Sequence, residues 1–118
     1  MTNIYGVPEI TVQEVAHLRT EVGSPILLDV REAMELKLAN LGEAVIWVPL
    51  SKIAAERLAS LPPELADKSV EVVVFCHTGV RSAQVAAWLR NEGWINIVSL
   101  AGGIETYALE IDPKVGRY

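Results

Sequence analysis

The sequence predicts an α/β domain, with parallel strands in a central sheet and helices on both faces. Three observations predict it. Short apolar runs alternate with helical patterns along the chain, and such alternation calls for right-handed crossovers between parallel strands. The runs are continuously apolar rather than alternating, which suits strands covered on both faces. The connections are short, with no repeat, low-complexity tract or linker.

A short piece around Glu9-Ile10 is a candidate edge strand. Thr11-Val12-Gln13-Glu14 reads as a capping box, with Thr11 as N-cap and Glu14 at the third helical position. Val15, Leu18 and Val22 then fall on one helical face. Ile26-Leu27-Leu28-Asp29-Val30 is a strand, and Glu32 to Leu41 places Met34, Leu38 and Leu41 at helical spacing. Val45-Ile46-Trp47-Val48 is the next strand. Ser51 is the expected cap of a helix from Ile53 to Leu61, stopped by Pro62-Pro63. Val70 to Phe75 is the strongest strand, because its four valines and phenylalanine favour a buried, pleated setting. Ser82 to Glu92 places Val85, Trp88 and Leu89 on one face, and Gly93 follows as a helix terminator. Asn96 to Leu100 is a further strand. Gly102-Gly103 opens a last helix, Ile104 to Glu110, and Pro113 marks a loose tail ending at Tyr118.

A chain of 118 residues fits one domain. At this length about two-thirds of the unfolded surface is buried, enough for one core without staples. Hydrophobic residues make up 51% and charged residues 21%, which argues against disorder. The net charge is -5, with no basic stretch, so nucleic-acid and anionic-membrane binding are not expected. No apolar run approaches the roughly 20 residues of a membrane span, and Met1 to Gly6 shows no signal peptide. The expectation is a soluble, cytoplasmic monomer. The single cysteine excludes an intrachain disulfide and a four-cysteine zinc site. His17 is expected in solvent, and Trp47, Trp88 and Trp94 as core or boundary residues.

That cysteine lies in Phe75-Cys76-His77-Thr78-Gly79-Val80-Arg81-Ser82, after the strongest strand and at the start of the best helix. Open α/β sheets bind ligands at such strand-to-helix turns. Gly79 permits a tight loop, a tight loop aims N–H groups inward, and the helix start adds positive potential. With Arg81, these features favour a thiolate, the nucleophilic form. Thr78 and Ser82 place hydroxyls nearby, and Ser82 is a candidate helix cap. His77 is read either as steering substrate or as a solvated loop residue. Arg81 is read as supporting the loop, attracting an anionic donor, or forming a surface salt bridge.

Cys76-x-x-Gly79-x-Arg81 resembles the active-site loop of the rhodanese-like sulfurtransferases. Leu28-Asp29-Val30-Arg31, Val48-Pro49-Leu50, Ala101-Gly102-Gly103-Ile104 and Ile10-Thr11-Val12 resemble further blocks of that family, in order. The resemblance runs from residue 8 to about 111, leaving 112–118 as a C-terminal tail of a single rhodanese-like domain, 1–118. It implies a five-stranded, mostly parallel sheet. It also implies that Asp29 and Arg31 brace the site; read alone, they are a helix cap and a surface cation. The chain departs from the family where Ala39-Asn40-Leu41-Gly42-Glu43-Ala44 stands in place of a Gly-His-Ile-x-Gly-Ala stretch. The related phosphatases of this fold carry a loop one residue longer, so the short Cys76–Arg81 loop resembles the sulfur-handling members.

The resemblance implies a sulfurtransferase. Cys76 takes a sulfane sulfur from a small donor such as thiosulfate, holds it as a persulfide against the N–H groups from His77 to Ser82, and passes it to cyanide in vitro or to a thiol or protein. No metal or organic cofactor is expected. Two alternatives stand beside it: a non-catalytic interaction module on the same fold, and a redox sensor whose Cys76 cycles through sulfenic acid with a partner thiol.

Overall fold

The computed structural model describes residues 3–42 and 44–118. Five strands, β1 (Glu9–Ile10), β2 (Ile26–Asp29), β3 (Ile46–Trp47), β4 (Val72–Phe75) and β5 (Ile97–Leu100), form one sheet in the order β1-β5-β4-β2-β3. Every neighbouring pair is parallel, so all five carboxyl ends lie at one end of the sheet. The apolar runs behave as expected: Val72 to Phe75 are all buried on a strand flanked by β2 and β5.

Alternation along β4 divides the core. Val72 and Val74 point to one face, with Leu28, Ile97, and the helices α3 (Leu50–Glu56) and α4 (Val80–Asn91) through Ile53, Val85 and Leu89. Val73 and Phe75 point to the other, with Leu27, Leu100, and the helices α1 (Val12–Leu18) and α5 (Gly103–Glu110) through Val12, Val15, Ile104 and Tyr107. Each fully buried side chain of this kind contributes about 1.5–3 kcal/mol, so the two layers hold the strand ends rigidly.

Several expectations need correction. Thr11 caps α1 through the capping box, but the helix stops at Leu18, and Val22 lies beyond it in solvent. The helix expected over 32–41 is a single turn, α2 (Ala33–Leu36), and Met34 and Leu38 are exposed. The turn closes with Leu38 N and Ala39 N both donating to Glu35 O, which also accepts from the Arg31 guanidinium, as does Ala39 O. Pro49, not Ser51, holds the N-cap position of α3, its carbonyl accepting the first helical bond from Ile53 N; Ser51 instead donates to Glu32. The stretch to Leu61 continues only as a 3₁₀ turn, Arg57–Ser60. Helix α4 begins two residues early, at Val80, so Ser82 is inside the helix rather than its cap. The segment after α5 is not loose. It forms a 3₁₀ turn, Pro113–Val115, and Val115 and Tyr118 pack against the core layer that holds Ala39 and Leu41. The departure at 39–44 includes Glu43, which lies outside the described residues.

Candidate active site

The carboxyl end of β4 delivers Cys76 to the base of α4. The chain turns back through Gly79, whose φ of 111° is a left-handed conformation that a Cβ would strain. The turn aims two backbone N–H groups at the sulfur: Gly79 N lies 3.1 Å and Ser82 N 3.4 Å from Cys76 Sγ. The thiol in turn donates to Ser82 Oγ at 3.4 Å, and Ser82 Oγ shares a hydrogen bond of 2.8 Å with Ser99 Oγ on β5. Cys76, Ser82 and Ser99 are all buried. The sulfur therefore sits in a cradle of backbone dipoles backed by two hydroxyls, an arrangement that stabilises negative charge on sulfur. Val80 and Thr78 are the exposed members of the loop.

The loop is tied to its neighbours on both sides. On one side, Ile104 N donates to Cys76 O and Glu105 N to His77 O, at 2.9 and 3.0 Å. This close approach needs Gly103: a Cβ there would stand 2.4 Å from His77 O. On the other side Arg81 is gripped by Glu35, with both nitrogen–oxygen distances at 2.7 Å. The Arg81 guanidinium holds the Glu35 carboxyl down to about 2, aided by the Glu32 N–H and the Tyr118 hydroxyl. Arg81 thus forms a partly buried ion pair that ties the start of α4 to α2.

Arg31 is not a surface cation. It is 0% exposed and lies in a fork with Asp29, its Nε and Nη2 donating at 3.0 and 2.9 Å. Asp29 Oδ1 also accepts Arg31 N, and Arg31 O accepts the indole N–H of Trp47. A buried ion pair stands only when its remaining donors are satisfied, and Arg31 spends them on Glu35 O, Ala39 O and the Tyr118 hydroxyl. The pair thus joins β2, α2, Ala39 and Tyr118 at the site's edge.

His77 stacks on Tyr118 with ring centroids 3.9 Å apart. Its Nε2 is buried without a hydrogen-bond partner, 3.9 Å from Glu105 Oε1. Glu105 is itself paired with Arg117 at 2.7 Å. His17 is solvent-exposed, as expected. Among the described residues no cluster of His, Cys, Asp and Glu is placed to hold a metal ion. Glu35, Ser99, Glu105 and Tyr118 were missed by sequence reasoning. Only Ser99 left a signal, as a polar residue inside an apolar strand.

The family model of the rhodanese-like domain matches residues 11–110. The chain belongs to the rhodanese-like domain family. Over 114 residues it is 32% identical to rhodanese-like/PpiC domain-containing protein 12, chloroplastic, of Arabidopsis thaliana, covering 89% of this chain and 36% of that protein. It is 34% identical over 93 residues to the "probable adenylyltransferase/sulfurtransferase MoeZ" of Mycobacterium tuberculosis, covering 78% and 22%. It is 30% identical over 102 residues to a tRNA uridine(34) hydroxylase of Leptospira interrogans, covering 86% and 27%. The chain spans roughly a third or less of these relatives' lengths. The crystal structure of a rhodanese-related protein from Thermoplasma volcanium superposes with a TM-score of 0.71 at 27% identity, covering 88% of this chain and 93% of that one. The five-stranded rhodanese fold expected from the resemblance is the observed one. No described helix is long and apolar enough to cross a membrane.

Proposed function

We propose that this rhodanese-like domain is a sulfurtransferase that carries sulfane sulfur on Cys76. The observation that carries the reading is the cradle: a lone cysteine whose sulfur receives the Gly79 and Ser82 N–H groups at the N-terminal end of a 12-residue helix. Backbone donors fixed before reaction stabilise a sulfur anion without reorganisation, and the positive end of α4 adds to them.

In the first step the Cys76 thiolate attacks the outer sulfur of thiosulfate. The donor's S–S bond breaks, a new S–S bond forms at Sγ, and sulfite leaves with the bonding pair. The enzyme then holds a persulfide anion in the cradle. In the second step cyanide, or a thiol or protein acceptor in the cell, attacks the terminal sulfur, and Cys76 returns as thiolate. The two steps divide one difficult transfer into two easier ones. The balance needs no metal, oxidant or organic cofactor, and a monomer supplies the whole cradle.

Intact-mass measurement after incubating the reduced protein with thiosulfate tests this. The expected gain is about 32 Da, one sulfur on the nucleophile, absent in Cys76→Ser and reversed by cyanide with release of thiocyanate. A folded protein with a free thiol that gains no sulfur from thiosulfate or from an organic persulfide refutes the reading and leaves the interaction-module alternative in its place.

A further inference from the structure

Residues 112–118 cross the carboxyl end of the sheet and lay Tyr118 against the Cys76 loop. The Tyr118 ring stacks on His77 at 3.9 Å with an interplanar angle of 12°. Its hydroxyl donates to Glu35 Oε1 at 2.8 Å and accepts from Arg31 Nη1 at 3.1 Å. Burial pushes the Tyr118 phenol up, so the hydroxyl keeps the proton it donates. One side chain therefore touches both arginine–carboxylate pairs of the site and the histidine beside the nucleophile.

The segment is held along its length. Asn40 N donates to Val115 O at 2.8 Å, and Gly116 lies so close to Leu38 that a Cβ would stand 2.5 Å from its carbonyl oxygen. Arg117 pairs with Glu105, the first-turn carboxylate of α5. The anchor at 38–40 overlaps the stretch where the sequence departs from the family's usual pattern.

Glu35 is the joint through which this reaches the loop. It grips Arg81 with both oxygens while accepting from Tyr118 and from Glu32 N. Arg81 lies close enough to Cys76 for its charge to act on an anionic sulfur there. With Glu35 held in place, the guanidinium's charge is cancelled beside the thiol, and the backbone N–H groups are left as the sulfur's anion-stabilising partners.

We propose that Tyr118 is a positioning residue of the Cys76 site: its hydroxyl orients Glu35 onto Arg81, and its ring fixes His77, so that residues 112–118 form one wall of the site. The proposal rests on Cys76 being the reacting thiol, and its test reads that thiol without requiring sulfur transfer. Alkylation of Cys76 is measured with neutral iodoacetamide and anionic iodoacetate in the wild type, Tyr118→Phe, Tyr118→Ala and Glu35→Gln. The ratio of the two rates reports the local potential. Glu35→Gln, which unmasks Arg81, is expected to raise the iodoacetate-to-iodoacetamide ratio about tenfold, and Tyr118→Phe about threefold, with the iodoacetamide rate changed less than about twofold. Tyr118→Ala also removes the wall and is expected to raise both rates by about fivefold or more. A ratio in Tyr118→Phe and Tyr118→Ala equal to wild type overturns the proposal, and so does a ratio unmoved in Glu35→Gln. The wild type alone supplies a second measurement. Stacking predicts upfield-shifted His77 ring protons with cross-relaxation to the Tyr118 ring, and their absence equally overturns it. If the ratios move as expected while thiosulfate loads no sulfur, the sulfurtransferase reading fails and the positioning role stands.

Discussion

Ser99 has no exposed surface, and its neighbours on β5 are apolar. A buried hydroxyl is retained at a cost unless it is bonded. Ser99 spends its hydrogen bond on Ser82, which faces Cys76. When the sulfur is anionic, Ser82 turns its proton to it, and Ser99 can donate to Ser82, each bond polarising the next. Removing the nearer hydroxyl therefore costs more than removing the farther one. Single-turnover persulfide formation is expected to fall roughly tenfold in Ser82→Ala and about twofold to threefold in Ser99→Ala. A loss in Ser99→Ala that equals or exceeds that in Ser82→Ala contradicts the order of the chain.

At the scale of elements, two glycines hold the Cys76 loop by different constraints. Gly79 turns the loop into α4 with a left-handed φ, yet a Cβ there would meet only backbone atoms at 3.5 and 3.6 Å. Gly103 has a left-handed φ and no room: a Cβ there would stand 2.4 Å from His77 O and 2.6 Å from Cys76 O. Gly79→Ala is expected to lose about 1–2 kcal/mol, the cost of the backbone conformation. Gly103→Ala must also push α5 from the loop and is expected to lose more than about 3 kcal/mol and most of the sulfur-loading rate. Urea unfolding of the two variants separates the cases, and equal losses would show that α5 does not press on the loop. Helix α2 bears the same kind of tie. Arg31 bonds the carbonyl of Glu35 near the end of the helix's single turn, and that turn puts Glu35 within reach of Arg81.

For the whole molecule, the Glu35–Arg81 pair links α2 to α4 across 46 positions of sequence. Glu35 ionises near 2 in the folded chain against an ordinary value of 4.5. A carboxyl lowered by folding stabilises the fold above its unfolded value and loses that contribution as the pH falls through its folded one. The expected contribution is roughly 2–3 kcal/mol at neutral pH, fading between about pH 4.5 and pH 2. Thermal unfolding of wild type and Glu35→Gln across that range checks it. The two should differ at pH 7 and converge near pH 2; a constant difference would mean that the pair is not what the acid removes.

The sequence by itself determined the α/β class, the parallel sheet, the α1 capping box and the place of Cys76 at the turn from β4 into α4. Each is encoded locally, by apolar runs of fitting length, by side chains that satisfy nearby backbone groups, and by a glycine where the chain must turn. It also placed His77, Thr78, Gly79, Val80, Arg81 and Ser82 around the cysteine, since they share one short loop. Only the tertiary structure decided which charges there are free. Arg81 reads as an open cation until α2 brings Glu35 against it, and Arg31 reads as exposed until Asp29 and Tyr118 enclose it. Tyr118 looked like the end of a loose tail, and its partners Arg31, Glu35 and His77 stand 87, 83 and 41 residues away. Hydrogen-bond and ion-pair partners depend on which strand ends the sheet order β1-β5-β4-β2-β3 makes neighbours. Periodicity along the chain carries no record of that order, so the cradle was legible in the sequence and the wall beside it was not.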